Sequence, residues 1–206
     1  HDASTFIEQS LKLNKNEDTL CDKALILERM GMIEESNVIY MEILGKNPKK
    51  AIVLNNLGYN YRRQLRLRES LGLFTKAIEA DPKYPTPIIN KANVLKELGM
   101  CDDALIFVNK QIVRDSTLVL QKTKIDILIE ALDLQEAFKI NEQMIQLNQN
   151  DSDLLNNRGV IFEQNSRHQH REKYLELAFK AFVHTKQMDP KYILATSNQV
   201  VCLINT

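Results

Sequence analysis

Amide side chains recur along the sequence at nearly constant spacing, and their chemistry is hydrogen bonding rather than bond making. The amides are Asn56, Asn90, Asn157 and Asn198, and Asp22 and Thr123 complete the series, whose six positions are separated in chain order by 34, 34, 33, 34 and 41 residues. An asparagine amide both donates and accepts, so it can pair with the N–H and the C=O of one residue in an extended chain. A row of such amides is therefore typical of a surface that holds a polypeptide backbone.

Residues that could form or break bonds show no comparable pattern. The sequence contains no Gly-rich phosphate loop and no nucleophile elbow, and Cys21 and Cys101 have no obvious histidine partner. His168 and His170 form a His-x-His pair, which on a helix points its two rings about 200° apart, without a carboxylate or cysteine to complete a metal site. We therefore predict no catalytic residue, no cofactor and no metal.

The amides are embedded in a longer repeat, which is clearest between residues 51 and 82. Its marks are Leu54, Leu57, Gly58, Tyr61, Ser70, Phe74, Ala77 and Pro82. Small residues recur in the same phase, in one series at Ala24, Gly58, Ala92 and Gly159 and in a second at Ser36, Ser70, Ala104, Ala137 and Ala178. The pattern resembles the tetratricopeptide repeat, in which a large residue, Leu-Gly and an aromatic residue precede a small residue, an aromatic residue and a closing proline.

This resemblance implies an all-α fold, a right-handed superhelical solenoid of helix-turn-helix repeats. Small residues let the two helices of a repeat cross closely, while leucine and aromatic side chains fill the space on either side. The series Leu54, Leu57, Tyr61 and Leu65 predicts an apolar face on one first helix. We expect a single solenoid over 1–206, with a half repeat at 2–16, full repeats at 17–50, 51–84, 85–117, 118–151 and 152–192, and a terminal helix at 193–204.

Two parts of the array depart from the common length. The third repeat is one residue short, and the fifth carries about seven extra residues near 165–173. Seven residues are two helical turns, so we expect both helices of this repeat to lengthen by one turn and a basic knob to project there. The terminal helix is apolar, whereas a capping helix would have a polar outer face. This indicates either a longer array or an end that docks on another molecule, including a second copy of the chain.

The amide series resembles the asparagine ladder with which tetratricopeptide domains hold extended polypeptides along the groove formed by their first helices. The resemblance implies a peptide-binding site made of Asn55, Asn56, Tyr59, Arg63, Asn90, Asn93, Glu97, Thr123, Asp126, Glu130, Asn156, Asn157 and Asn198. The alternative is that these amides only form hydrogen bonds with a neighbouring helix. We call the asparagines of the series, Asn56, Asn90, Asn157 and Asn198, the rungs of the ladder. At roughly 1 kcal/mol per neutral hydrogen bond, the rungs alone do not reach micromolar affinity, so neighbouring side chains must contribute to peptide binding.

A more specific family function is not favoured. Tetratricopeptide domains that clamp the C-terminal carboxylate of cytosolic heat-shock chaperones use lysine, arginine and asparagine at five places. Here those places hold Cys21, Leu25, Asn56, Thr86 and Asn90, and only one of the five matches. We therefore do not expect a chaperone adaptor of that kind.

Composition narrows the classes of partner. The 27 basic residues balance the 27 acidic ones, so no overall field attracts nucleic acid. A local cluster of Arg62, Arg63, Arg66 and Arg68 fits a helix C-terminus better than an acidic partner or a phosphate. No apolar run approaches the ~18 residues of a membrane span, and three cysteines without a pairing pattern favour the cytoplasm.

The sequence therefore predicts a non-enzymatic scaffold for protein–protein interaction that binds an extended peptide in its groove. One alternative is a structural subunit or spacer that uses its convex face and terminal helices in a larger assembly. The other is a substrate-recruiting array of an enzyme whose catalytic domain lies elsewhere. Groove substitutions should abolish binding under the first interpretation and leave it intact under the second.

Overall fold

A computed structural model describes residues 16–167 and 170–205, and every regular element in these ranges is an α-helix. The helices are α1 (Glu17–Arg29), α2 (Ile33–Lys46), α3 (Ala51–Arg63), α4 (Leu67–Ala80), α5 (Pro85–Glu97), α6 (Cys101–Arg114), α7 (Leu118–Glu130), α8 (Leu134–Leu147), α9 (Ser152–Asn165), α10 (Arg171–Met188) and α11 (Ile193–Asn205). Within the same ranges, none of the helices is both long and apolar enough to cross a membrane. The half repeat predicted at 2–16 lies outside them, apart from Asn16.

Side chains at several helix starts satisfy backbone N–H groups that have no partner inside the helix. The Asn16 side chain accepts a hydrogen bond of 2.8 Å from the Thr19 N–H at the start of α1. Asp151 does the same for α9, where its Oδ1 accepts from the N–H of Leu154 at 3.2 Å. Asn16 and Asp151 thus cap the first helices of the repeats that begin at residues 17 and 152.

The turns that end α1, α3, α5 and α7 each contain one left-handed residue. These are Gly31, Leu65, Gly99 and Leu132, with φ of 82°, 59°, 74° and 61°. After α3, the N–H of Arg66 donates to the carbonyl of Tyr61 at 2.9 Å, which closes the helix end. The sequence pattern placed Leu65 on the apolar face of a first helix. This prediction is wrong, because Leu65 lies in the turn after α3. It is 83% exposed, because the left-handed turn points it away from the core.

The small residues lie where two helices of a pair cross, as the packing argument predicts. A Cβ at Gly58 would lie 2.8 Å from Cε1 of Phe74, and a Cβ at Gly159 would lie 2.6 Å from Cδ1 of Phe182. Ser70 adds a hydrogen bond of 2.7 Å from its Oγ to the Gly58 carbonyl.

The extra residues of the fifth pair are distributed unevenly. The first helices α1, α3, α5 and α7 have 13 residues and α9 has 14. The second helices α2, α4, α6 and α8 have 14 residues and α10 has 18. The expectation that both helices gain a turn is therefore wrong for α9, and the turn is gained by α10 alone.

The chain divides into two compact units, the first ending at Leu98 and the second beginning at Gly99. The core of the first unit includes Leu20, Tyr40, Ile43, Val53 and Leu57. The second unit has one cluster built mainly from α7, α8 and α9 and another in which Cys202 of α11 packs with residues of α10. Each unit is thus built on an apolar core of its own.

Candidate functional site

In the first unit, the predicted rungs are joined to one another from helix to helix. The Nδ2 of Asn90 on α5 donates to Oδ1 of Asn55 on α3 at 2.9 Å, and the Nδ2 of Asn55 donates to Oδ1 of Asn56 at 3.2 Å. Asn55 is buried at 5% exposure, whereas Asn56 and Asn90 are half-buried. The buried Asn55 amide therefore supports Asn56 and Asn90, because it forms a hydrogen bond with each of them.

The second unit repeats this arrangement with different residues. The Nδ2 of Asn198 on α11 donates to Oδ1 of Asn156 on α9 at 3.0 Å, and Asn156 is 6% exposed. The Nδ2 of Asn157 donates to Oδ1 of Asp126 on α7, also at 3.0 Å. Asn90, Asn157 and Asn198 therefore each donate a hydrogen bond to the preceding first helix, which is the kind of contact that the alternative interpretation describes. Because an asparagine amide has two N–H donors and an oxygen acceptor, one such bond leaves capacity for a ligand.

Several predicted site residues come together in a cavity of about 350 Å³ in the second unit. Asp126 of α7 and Asn156 and Asn157 of α9 line it, as do Lys122, Asp153, Tyr192 and Leu194. The last four were not predicted as site residues. Tyr192 had a signal in the sequence, because Asp189–Tyr192 repeats the run Asp81–Tyr84 that leads into α5.

Charged groups on one side of this cavity are held in place by each other. The Nζ of Lys122 lies 2.6 Å from Oδ2 of Asp151 and 2.8 Å from Oδ2 of Asp153, and the Tyr192 hydroxyl donates to Oδ1 of Asp153 at 2.8 Å. Burial by itself raises the pKa of Asp153, but the hydrogen bonds from Lys122 and Tyr192 outweigh it and hold this pKa below its ordinary value. Burial lowers the pKa of Lys122, but its two carboxylate partners outweigh burial and raise it. Both groups are therefore charged at neutral pH.

The other predicted groove residues are placed less uniformly. Tyr59 is 40% exposed, Arg63 and Glu130 are exposed, and Asn93 is half-buried. Thr123 differs from the rungs, because it is 5% exposed and its hydroxyl donates to the Val119 carbonyl of its own helix at 2.8 Å. Its hydroxyl is used within α7.

The arginine cluster forms specific pairs as well as meeting a helix end. The guanidinium of Arg62 binds both carboxylate oxygens of Glu97, with Nε at 2.9 and 3.0 Å from them, so it joins α3 to α5. Arg66 pairs with Glu69 at 3.1 Å and lies 3.9 Å above the Tyr61 ring. Glu97, which was predicted to be part of the peptide-binding site, is therefore bound to Arg62.

Comparison with solved structures defines the fold. The chain superposes on a thermophilic TPR protein of Thermus thermophilus with a TM-score of 0.71 and 12% identity, covering 92% of this chain and 100% of the other. YrrB, a TPR protein with an unusual peptide-binding site, is similar with a TM-score of 0.60 and 17% identity, covering 93% of this chain and 96% of its own. The chain has the tetratricopeptide repeat fold. The same fold occurs in the human IFIT1 dimer with m7Gppp-AAAA, where the TM-score is 0.67 at 14% identity and the match covers 98% of this chain and 52% of IFIT1.

Sequence comparison finds relatives that match only part of this chain. Photosystem I assembly protein Ycf3 from two strains of Prochlorococcus marinus, NATL1A and NATL2A, is 31% identical over 113 residues. The match covers 48% of this chain and 65% of those proteins, so it spans less than two thirds of their length. No family model matches the chain.

Proposed function

We propose that the chain is a non-enzymatic scaffold for protein–protein interaction, and that its first helices bind an extended segment of another protein through their asparagine amides. The observation that carries this proposal is the cavity in the second unit, because Asp126, Asn156 and Asn157 line it from two consecutive first helices. The hydrogen bonds from Asn157 to Asp126 and from Asn198 to Asn156 fix the amides before a ligand arrives, which reduces the entropy lost on binding. In the first unit, Asn56 and Asn90 are half-buried rungs on a buried support and provide the corresponding surface.

The residues that line the cavity favour a peptide ligand over a nucleic acid. Among the described residues that line the cavity, the one basic group is Lys122, and Asp151 and Asp153 hold its ammonium group, so it is not available to a phosphate backbone. Two cysteines of the described structure are not activated as nucleophiles, because burial raises the pKa of the Cys21 thiol and of the Cys202 thiol. All three cysteines are free thiols, which supports placing the protein in the reducing cytoplasm.

A second mode of association is supported by α11. Ile193, Val200 and Ile204 are 79%, 49% and 77% exposed and lie on one side of this helix. We include in the proposal that this side forms contacts between two copies of the chain.

Peptide binding can be tested with a fluorescein-labelled library of unstructured decapeptides, measured by fluorescence polarisation. We expect micromolar binding to the intact chain and a loss of about fivefold for Asn157→Ala, the effect of one hydrogen bond of roughly 1 kcal/mol. The matched control is Asn109→Ala, since Asn109 is an exposed asparagine on α6 outside the cavity lining. Thermal unfolding of each variant checks that it remains folded. The proposal is wrong if no peptide binds, or if both variants lose affinity equally.

A further inference from the structure

A second cavity of the second unit, the valine cavity, is lined by residues of α9, α10 and α11 and has a volume of about 170 Å³. Its apolar lining residues are Val160, Phe182 and Val201, and its polar ones are Glu163, Gln164 and Asn198. Phe182 is 1% exposed and belongs to the core cluster of α10 and α11, and Val160 packs against that cluster. The apolar wall of the valine cavity is therefore part of a packed core, which gives it a fixed shape.

The two valines hold equivalent positions in consecutive first helices. Val160 follows the rung Asn157 by three residues, and Val201 follows the rung Asn198 by three residues. Residues three apart are neighbours on a helix surface, so each valine lies beside a rung. In the earlier first helices, the same position holds the predicted peptide-binding residues Tyr59, Asn93 and Asp126. The valines therefore give the end of this series an apolar character that its earlier members lack.

Asn198 joins the valine cavity to the cavity of about 350 Å³ described above. It lines the valine cavity, and its Nδ2 donates at 3.0 Å to Oδ1 of Asn156, which lines the larger one. An asparagine amide has two N–H donors and an acceptor oxygen, so this bond orients the Asn198 amide and leaves capacity for a ligand. A segment whose backbone is bound by Asn198 therefore passes along the edge of the valine cavity.

The charge and the size of the valine cavity limit which side chain can enter it. The Glu163 carboxylate accepts from Nη2 of Arg167 at 3.1 Å and is already paired, so apolar contact rather than charge decides the fit. A second carboxylate beside Glu163 would be repelled. Since an apolar cavity of about 150 Å³ takes up one benzene molecule, about 170 Å³ has room for one aliphatic side chain but not for an indole ring.

From this combination we infer that the valine cavity receives one aliphatic side chain, that of leucine, isoleucine or methionine, from the extended segment that the chain binds. The inference rests on the proposed function and specifies the partner's chemistry. The aliphatic side chain packs on Val160, Phe182 and Val201, and Asn198 binds the backbone next to it. Moving such a side chain from water onto the apolar wall supplies affinity that the amides alone lack.

The experiment uses the same decapeptide library, divided into pools in which one position at a time is fixed as leucine, alanine, tryptophan or glutamate. We expect leucine at one position to give about tenfold tighter binding than alanine, tryptophan to lose this advantage, and glutamate to bind most weakly. Added sodium chloride should leave the advantage of leucine over alanine nearly unchanged, because the contact is apolar. Equal binding of leucine and alanine pools at every position overturns this inference and leaves the proposed function in place, whereas no binding overturns both.

Two variants of Val201 assign the preference to the valine cavity. Val201 is 42% exposed, so its replacement leaves most of the core packing intact, and thermal unfolding checks each variant. Val201→Phe fills the cavity and should remove the advantage of leucine over alanine, whereas Val201→Ala enlarges it and should raise the affinity of tryptophan pools relative to leucine pools.

The matched control is Val113→Phe, because Val113 is an 88% exposed valine of α6 that is not among the described residues lining the cavity. This control should keep the leucine preference. An unchanged preference in both Val201 variants, or an equal loss in Val201→Phe and the control, contradicts the inference. If Val201→Phe keeps the leucine preference but weakens association between copies of the chain in sedimentation, a second copy occupies the cavity and the inference is wrong.

Discussion

Gly58 and Gly159 occupy equivalent places in the first helices of their pairs, and in both the neighbouring residue of the second helix is a phenylalanine. Phe74 is fully buried and Phe182 is 1% exposed, so neither ring has room to move away from an added methyl group. The sequence allowed this packing to be predicted, since small and aromatic residues recur in phase. It did not allow the conformation of Leu65 to be predicted, because leucine carries no signal for a left-handed turn that Gly31 and Gly99 adopt easily.

Replacing these glycines by alanine should destabilise the protein. Alanine favours a helix by about 1 kcal/mol over glycine, but overpacking a fully buried contact costs about 1–3 kcal/mol. We expect a net loss of stability of up to about 2 kcal/mol for Gly58→Ala and a larger loss for Gly159→Ala, whose Cβ would approach its phenylalanine more closely. Urea unfolding followed by circular dichroism measures both.

The matched control for these substitutions is Gly72→Ala. Gly72 lies inside α4, and an added Cβ there would have no heavy atom within 4 Å. This variant should gain up to about 1 kcal/mol from helix propensity alone. A loss of stability at Gly72 equal to that at Gly58 would show that the crossing is not the cause.

Consecutive first helices are joined by polar contacts as well as by apolar packing. In the first unit, Asn90–Asn55 and Arg62–Glu97 both connect α3 to α5, and in the second unit Asn198–Asn156 connects α9 to α11. The positions of the amides could be predicted from the repeat phase. Their partners could not, because the axial offset between two helices decides whether Asn90 meets Asn55 or Asn56.

A double-mutant cycle on Asn55→Ala and Asn90→Ala should give a coupling free energy of unfolding of about 0.5–1.5 kcal/mol. The sign is stabilising, because the hydrogen bond of 2.9 Å is lost when either partner is removed. Denaturant unfolding of the four proteins gives the value. Asn90→Ala combined with Lys76→Ala serves as the control cycle, since Lys76 is exposed on α4, and its two effects should add. A coupling near zero for both cycles would mean that the amides do not stabilise the helix pair.

At the scale of the whole molecule, first and second helices alternate along the described residues of both compact units. The described pairs α1/α2, α3/α4, α7/α8 and α9/α10 follow the phase that residue spacing predicts, since each pair must bury the same apolar face. Spacing did not predict that four of the extra residues in the fifth pair would enter α10, because helix extension depends on capping and local contacts. In α11, Ala195 and Cys202 are buried while Ile193, Val200 and Ile204 are exposed on the other side.

This exposed side of α11 leads to a prediction about association in solution. Ile193, Val200 and Ile204 are spaced by seven and four residues, so they form one apolar stripe along the helix. Burying such a stripe against a second copy removes apolar surface from water, so the sedimentation coefficient should rise with protein concentration. Ile193→Glu combined with Ile204→Glu should abolish the rise, because two carboxylates would have to be buried in the contact. Val113→Glu combined with Leu147→Glu is the matched control, since these residues are 88% and 76% exposed on α6 and α8, and it should still associate. A constant coefficient for the intact chain at every concentration, or equal loss in both double variants, would contradict contacts through α11.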